Sequence, residues 1–243
     1  MGKNKLKRFA EMKDFGNTYE FPENMAGTWH SNVFKNTNPI ILELACGRGE
    51  YSVALAKYNP ETNIIGVDIK GSRLWRGAKS ALEEGLHNAA FLRTYIERIT
   101  TYFGPQEVSE IWITFPDPHP PAGKSKKRLS SLRFLNEYTN IVKDGGIIHL
   151  KTDDDLLYHF TKAGAAFLGM TVLEDVDDVV KERANDTLLS IRTTYELRWI
   201  SEGKKIRYLK LKLDHALFSA TNFAEANAKM KEWLSIHNAK KKA

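Results

Sequence analysis

With 243 residues, 42% of them hydrophobic, the chain is sized for one α/β domain with a sizeable core; 36 Lys and Arg against 30 Asp and Glu leave a net charge of +6 and point to an anionic partner. The single cysteine, Cys46, excludes an internal disulfide framework and a zinc cluster, and no metal is expected. No stretch approaches the ~20 apolar residues of a membrane span, and the charged first residues lack an apolar h-region. A soluble, cytoplasmic protein with no membrane role is therefore expected, and nucleic acid is the favoured anionic partner because no basic run interleaves with a strongly amphipathic helix.

Residues 1–38 read as a polar arm whose Phe9, Phe15, Tyr19, Phe21, Trp29 and Phe34 pack it onto the main domain, with residues 1–8 frayed. Ile40, Ile41, Leu42 and Leu44 form a first buried strand. Ala45-Cys46-Gly47-Arg48-Gly49 follows, and then Tyr51, Val53, Ala54, Leu55 and Tyr58 at helical spacing. Strand, glycine turn and helix open a nucleotide-binding unit. Gly47 and Gly49 let the backbone approach a ligand with no Cβ in the way. Neither GxxxxGK[ST] nor GxGxxG is present, and Glu43 just before the turn suits an ammonium or sulfonium better than a pyrophosphate. Ile64 to Val67 run into Asp68, roughly 20 residues after the turn, where an acid accepts hydrogen bonds from ribose hydroxyls. Gly71 to Leu86 predicts an amphipathic helix, Ala90 to Arg93 a third strand, and Ile96 to Phe103 a further helix.

Ile111 to Phe115 are a run of β-branched and aromatic residues, which predicts a fourth, buried strand. Asp117 stands just beyond its carboxyl end, where open α/β sheets bind ligands. Pro118, Pro120 and Pro121 stiffen the exit, and Lys124, Lys126, Lys127 and Arg128 follow. A lone acid on a rigid ledge beside a cation patch suits action on a polyanion; a strand, a proline turn and a solvated basic loop would read the same. Leu132 to Val142 predicts a helix, Asp144-Gly145-Gly146 a turn, and Ile147 to Leu150 a fifth strand ending at Lys151-Thr152-Asp153. Asp153 fits a site acid or a helix cap equally well. Thr171 to Val176 predicts a sixth strand, and residues 177–192, without clear period, a mobile loop. Thr193, Thr194, Tyr195 and Glu196 open a helix and can read a base edge or simply cap it. Leu209, Leu211 and Leu213 alternate with Lys210 and Lys212 as a last strand. Asp214 onward is an appended helical tail ending in Lys240, Lys241 and Lys242.

Glu43, the Gly47/Gly49 turn and Asp68 together resemble the S-adenosylmethionine (SAM) site of Rossmann-like methyltransferases. The order of ELACGRG at 43–49, GVDI at 66–69, FPDPHP through KKRL at 115–129, KTD at 151–153 and TTYE at 193–196 resembles the bacterial tRNA (guanine-N7-)-methyltransferase family over residues 28–213. The resemblance implies an α/β Rossmann-like fold, a mostly parallel seven-stranded sheet with helices on both faces, spanning 39–213 between the arm (1–38) and an extension (214–243). It implies SAM as methyl donor and tRNA as partner, with N7 of a variable-loop guanine as acceptor. Glu43, Gly47, Gly49, Asp68, Tyr95 and Asp117 would bind the cofactor, and Asp117 would be the active-site acid. Asp153 and Thr193, Thr194, Tyr195 and Glu196 would contact the target, while Lys124, Lys126, Lys127 and Arg128 would grip RNA. Four positions depart from the family pattern: Ala45 replaces a usual glycine, Tyr95 an adenine-reading acid, Pro121 a substrate lysine and His119 a tryptophan. Glu97 or the Tyr95 backbone could make the adenine contact, and Lys124 could replace the lost cation. A monomer and a homodimer both fit the sequence. The alternatives are an RNA-binding module without catalysis and a methyltransferase with another substrate.

Overall fold

The structure, a computed structural model, describes residues 3–239; Lys240, Lys241 and Lys242 lie outside the described residues. Of the stretch expected to fray, residues 1–2 lie outside the described residues, and residues 3–8 lie in helix α1 (Lys3–Lys13). It is tied down by Met12, which is buried, by the Glu11 carboxylate accepting from Trp75 Nε1 at 2.6 Å, and by the Arg8 guanidinium 4.8 Å from the Trp75 ring centre. The arm also adds a strand, β1 (Thr18–Glu20), and then a π-helical turn, Trp29–Phe34. Trp29 is fully buried there, stacked on Phe103 and donating to the Tyr102 carbonyl at 2.7 Å.

The central units follow as β2 (Ile40–Leu44), α2 (Glu50–Tyr58), β3 (Asn63–Asp68), α3 (Gly71–Glu83), β4 (Ala89–Arg93) and β5 (Val108–Thr114). Then come α4 (Leu132–Tyr138), β6 (Val142–Thr152), α5 (Asp155–Leu168), β7 (Val172–Val176), α6 (Val179–Glu182), α7 (Thr194–Ser201), β8 (Arg207–Leu213) and α8 (Ala220–Ala239). Among the described residues one eight-stranded sheet forms, in the order β1-β4-β3-β2-β5-β6-β8-β7. Seven strands were expected; the eighth is β1, which pairs in parallel with β4. A three-residue strand carries too little pattern to be read before its partner is known. Only β8 runs against its neighbours. The strand order reverses between β2 and β5, and that switch point opens a crevice at the carboxyl ends of both.

Alternation on the strands feeds two cores. Leu42, Leu44, Ile113 and Leu150 pack against Phe134, Tyr138, Phe160 and Met230 on one face. Ile41, Trp112 and Tyr208 pack against Tyr51, Leu55, Leu74 and Ala78 on the other. Three sequence expectations are corrected. Ile96–Thr101 is a 3-10 turn, not an α-helix. Val142 begins β6, because the helix stops at Tyr138; Asp144 to Gly146 fall inside that strand, where pairing with β5 skips from Val142 to Ile147. Residues 177–192 are packed, with α6 and buried Val179, Leu189 and Ile191.

Candidate active site

The glycine turn after β2 is built by backbone hydrogen bonds: the Cys46 amide donates to Val67 O at 3.1 Å and the Gly49 amide to Cys46 O at 2.8 Å. Ala45, Gly47 and Gly49 all have left-handed φ, of +59°, +57° and +66°. A Cβ on Gly49 would come within 2.5 Å of the Phe91 ring, so close packing fixes that glycine. A Cβ on Gly47 would meet only the Ala45 carbonyl, at 4.0 Å, which leaves open space over the turn. Asp68 closes β3 and is buried. Its Oδ2 accepts from the Gly47 amide at 3.0 Å and its Oδ1 from the Lys70 amide at 2.7 Å. Each oxygen retains a lone pair for a ligand hydroxyl.

Two cavities meet over these strand ends. One of about 330 Å3 is lined by Asp68, Thr94, Tyr95, Ile96, Glu97, His119 and Lys127. The other, of about 510 Å3, is lined by Glu43, Gly47, Arg48, Glu50, Thr114, Asp153, Thr193, Tyr195, Trp199 and Lys204. Ala45, Lys70, Arg73, Phe115, Pro116 and Asp117 line both. Asp117 thus stands at their junction.

Glu43 is buried beneath the larger cavity and accepts hydrogen bonds from the Ser52 and Thr114 hydroxyls. Burial is the main force that raises its carboxyl to about 7; the two hydroxyls oppose the shift and the Asp68 charge adds to it. Asp117 differs sharply: its side chain is 70% exposed, and Oδ1 accepts from the His119 amide at 3.0 Å. Phe115 and His119 on either side hold left-handed φ values of +48° and +43°, a strained arrangement that needs external support. Arg128 supplies it. The fully buried guanidinium donates to the Pro118 carbonyl at 2.9 Å and the His119 carbonyl at 3.1 Å, and lies 4.3 Å from the Phe160 ring centre. Arg128 is therefore a strut for the proline ledge, and only Lys124, Lys126 and Lys127 of the basic run are exposed.

On the opposite wall, Asp154 caps α5 through the Leu157 amide at 2.7 Å, so the cap role does not fall on Asp153. Asp153 faces the larger cavity and accepts from Lys204 Nζ at 2.8 Å. Thr193 caps α7 through the Glu196 amide and lines the same cavity with Tyr195. Thr194 instead gives its amide and hydroxyl to Glu50. Glu196 is fully buried, bound by Lys151 at 2.9 Å and Arg192 at 2.6 Å, and does not line either cavity. Arg128, Thr194 and Glu196 thus line neither cavity, unlike Asp153, Thr193 and Tyr195.

Glu50, Trp199 and Lys204 also line the cleft, which their sequence neighbourhoods do not foretell. Lys204 opens a basic run and lies 3.5 Å from the Trp199 ring centre, but nothing local marks either residue. The donor set fits SAM: Asp68 can take ribose hydroxyls, Glu97 and the Tyr95 segment adjoin it, and Glu43 and Asp117 suit a positive centre.

A family model described as "Putative methyltransferase" matches residues 37–209. A protein of Christiangramia forsetii named tRNA (guanine-N(7)-)-methyltransferase is 46% identical over 87% of this chain and 98% of its own length. One of the same name from Porphyromonas gingivalis is 50% identical over 78% of this chain and 77% of its own. The crystal structure of the 16S rRNA methyltransferase KamB superposes with a TM-score of 0.60 at 15% identity, covering 79% of this chain and 95% of that one, a likeness of fold.

Proposed function

The chain belongs to the tRNA (guanine-N7-)-methyltransferase family, and from that premise we propose how its cleft carries a methyl group from SAM to N7 of a guanine in tRNA. The position of Asp117 at the junction of the two cavities carries this reading. SAM, when bound, supplies an electrophilic methyl group on a sulfonium. Asp68 holds the ribose hydroxyls, and the Tyr95 backbone with Glu97 serves the adenine. Glu43 and the open space over Gly47 serve the methionine end, while Gly49, packed on Phe91 and outside both cavities, shapes the turn behind it.

Guanine N7 carries a lone pair and no proton, so the protein need not remove one. What it must supply is alignment, which is worth about 7–11 kcal/mol in well-oriented reactions. Asp117 receives the purine as positive charge develops on it, and its carboxylate stabilises that charge and can hold the base's N–H donors. Asp153, Thr193 and Tyr195 form the facing wall. Presenting the base costs a few kcal/mol of unstacking, which phosphate contacts from Lys124, Lys126 and Lys127 offset. The catalytic core is 39–213, flanked by the arm 1–38 that packs on it and the extension 214–243, and the protein acts in the cytoplasm. Relatives at this identity do not favour a decayed or differently directed enzyme.

The test is incubation of the purified protein with labelled SAM and unmodified tRNA, followed by nucleoside analysis. Label in 7-methylguanosine is expected; label confined to protein or small molecules would end the reading.

A further inference from the structure

Three of the family-like segments meet at one residue, Lys151, through its ammonium and its main-chain carbonyl. Lys151 is fully buried, and its Nζ donates to the Leu189 carbonyl at 2.8 Å, the Ile191 carbonyl at 2.9 Å and the Glu196 carboxylate at 2.9 Å. All three of its donors are thereby used. Glu196 gives its other oxygen to Arg192. On the main chain, Lys151 O accepts from the Phe115 amide at 2.9 Å, two residues before Asp117. One residue of β6 therefore holds the strand end behind the acid, the 189–191 segment and the first turn of α7.

Stability alone is a poor explanation for such a pair. Taking two charges out of water costs several kcal/mol per ion, and well-packed apolar residues commonly hold a core as firmly. What ion pairs with fixed donors add is a single geometry. Here the geometry so fixed is the placement of Thr193 and Tyr195 in the cavity that Asp117 also lines.

We propose that Lys151 and Glu196 are a positioning pair: Lys151 locks the α7 wall against the Asp117 strand, and Glu196 acts through Lys151 without touching the guanine. The proposal rests on the reading of this cleft as the tRNA methylation site. It differs from a role for Glu196 as a direct target contact, which the motif resemblance would imply.

The experiment compares wild type, Lys151→Met, Glu196→Gln and the double variant Lys151→Met/Glu196→Gln. It reads kcat on tRNA, SAM affinity by titration, and hydrogen–deuterium exchange of free protein. Each single variant is expected to lose about 10²-fold in kcat, as misplacement of a reacting geometry does, with SAM affinity retained. The double variant should be no worse than the weaker single variant, since both act through one contact. Exchange should quicken in residues 189–201 and not in Ile40–Leu44. Losses that multiply in the double variant, an unchanged kcat, unchanged exchange in 189–201, or SAM affinity falling in step with kcat would each overturn the proposal. If Lys151→Met does not fold, Glu196→Gln decides through exchange, because a residue that only touches substrate leaves the free protein unaltered. Wild type that methylates no tRNA would remove the functional reading, while the exchange contrast still tests the pair.

Discussion

Glu50, the first residue of α2, accepts hydrogen bonds from both the hydroxyl and the amide of Thr194, the latter at 2.8 Å, across 144 residues of sequence. The glycine turn and the start of α7 are thereby one wall, and Thr194 serves the frame of the cleft rather than its inner surface. Glu50→Ala removes a charge-assisted pair worth ~1–2 kcal/mol. The expected result is a several-fold rise in KM for tRNA, with a smaller change in SAM affinity, measured by steady-state kinetics and titration.

Among the described residues Asp117 pairs with no Lys or Arg, only with the neighbouring His119, so its removal should leave the fold intact. Asp117→Ala is expected to lower kcat by roughly 10²–10³-fold, the usual cost of removing an electrostatic stabiliser, while SAM affinity holds. Asp117→Asn keeps an acceptor for the His119 amide and should lose nearly as much, because the charge is what matters. Equal losses in kcat and SAM affinity would make Asp117 a cofactor ligand instead.

Burial divides the basic run into two classes. Changing Lys124, Lys126 and Lys127 together to Ala should weaken tRNA binding and reduce the slope of log K against log salt by about 2–3. Arg128→Ala should leave that slope unchanged and lower stability by ~2–3 kcal/mol, since it strips donors from the Pro118 and His119 carbonyls. Filter binding at several salt concentrations and thermal melts separate the two.

Glu43 predicts a pH dependence. Its carboxyl is raised from 4.5 to about 7 in the folded chain, so the folded state binds a proton more tightly than the unfolded one. Its contribution to stability is greatest below about 4.5, declines as pH rises to about 7, and stays low above it. Glu43→Gln should therefore gain stability over wild type at pH 8 and show no gain at pH 4. A sulfonium or ammonium beside Glu43 favours the carboxylate, so SAM affinity should rise with pH through about 7 in wild type. In Glu43→Gln that rise should vanish; titrations at pH 6 and pH 8 check it.

Ala45 holds φ +59°, a region in which an L side chain is strained. Ala45→Gly should relieve the strain against a modest entropic loss, for a net gain of up to ~1 kcal/mol in denaturant unfolding.

The βα units from Ile40 to Asp68, the buried strand before Asp117 and the alternating strand at Leu209 to Leu213 were legible because each is specified by its own neighbours in sequence. Apolar runs name a strand, glycines a turn, and an acid after a strand an address at the carboxyl edge. The acids Glu43, Asp68 and Asp117 each belong to such a strand end, so their place at the carboxyl edge of the sheet is legible in the sequence. Such local specification fails where identity depends on a partner far along the chain. Thr18–Glu20 is a strand only beside β4, Arg128 is a strut only under the proline ledge, and the Leu189 and Ile191 carbonyls find Lys151 from a distant strand. A charged residue reads alike in sequence whether it faces water or a buried counter-charge. Folding decides between them, because desolvation is tolerable only where partners from distant segments arrive with their hydrogen bonds already in place.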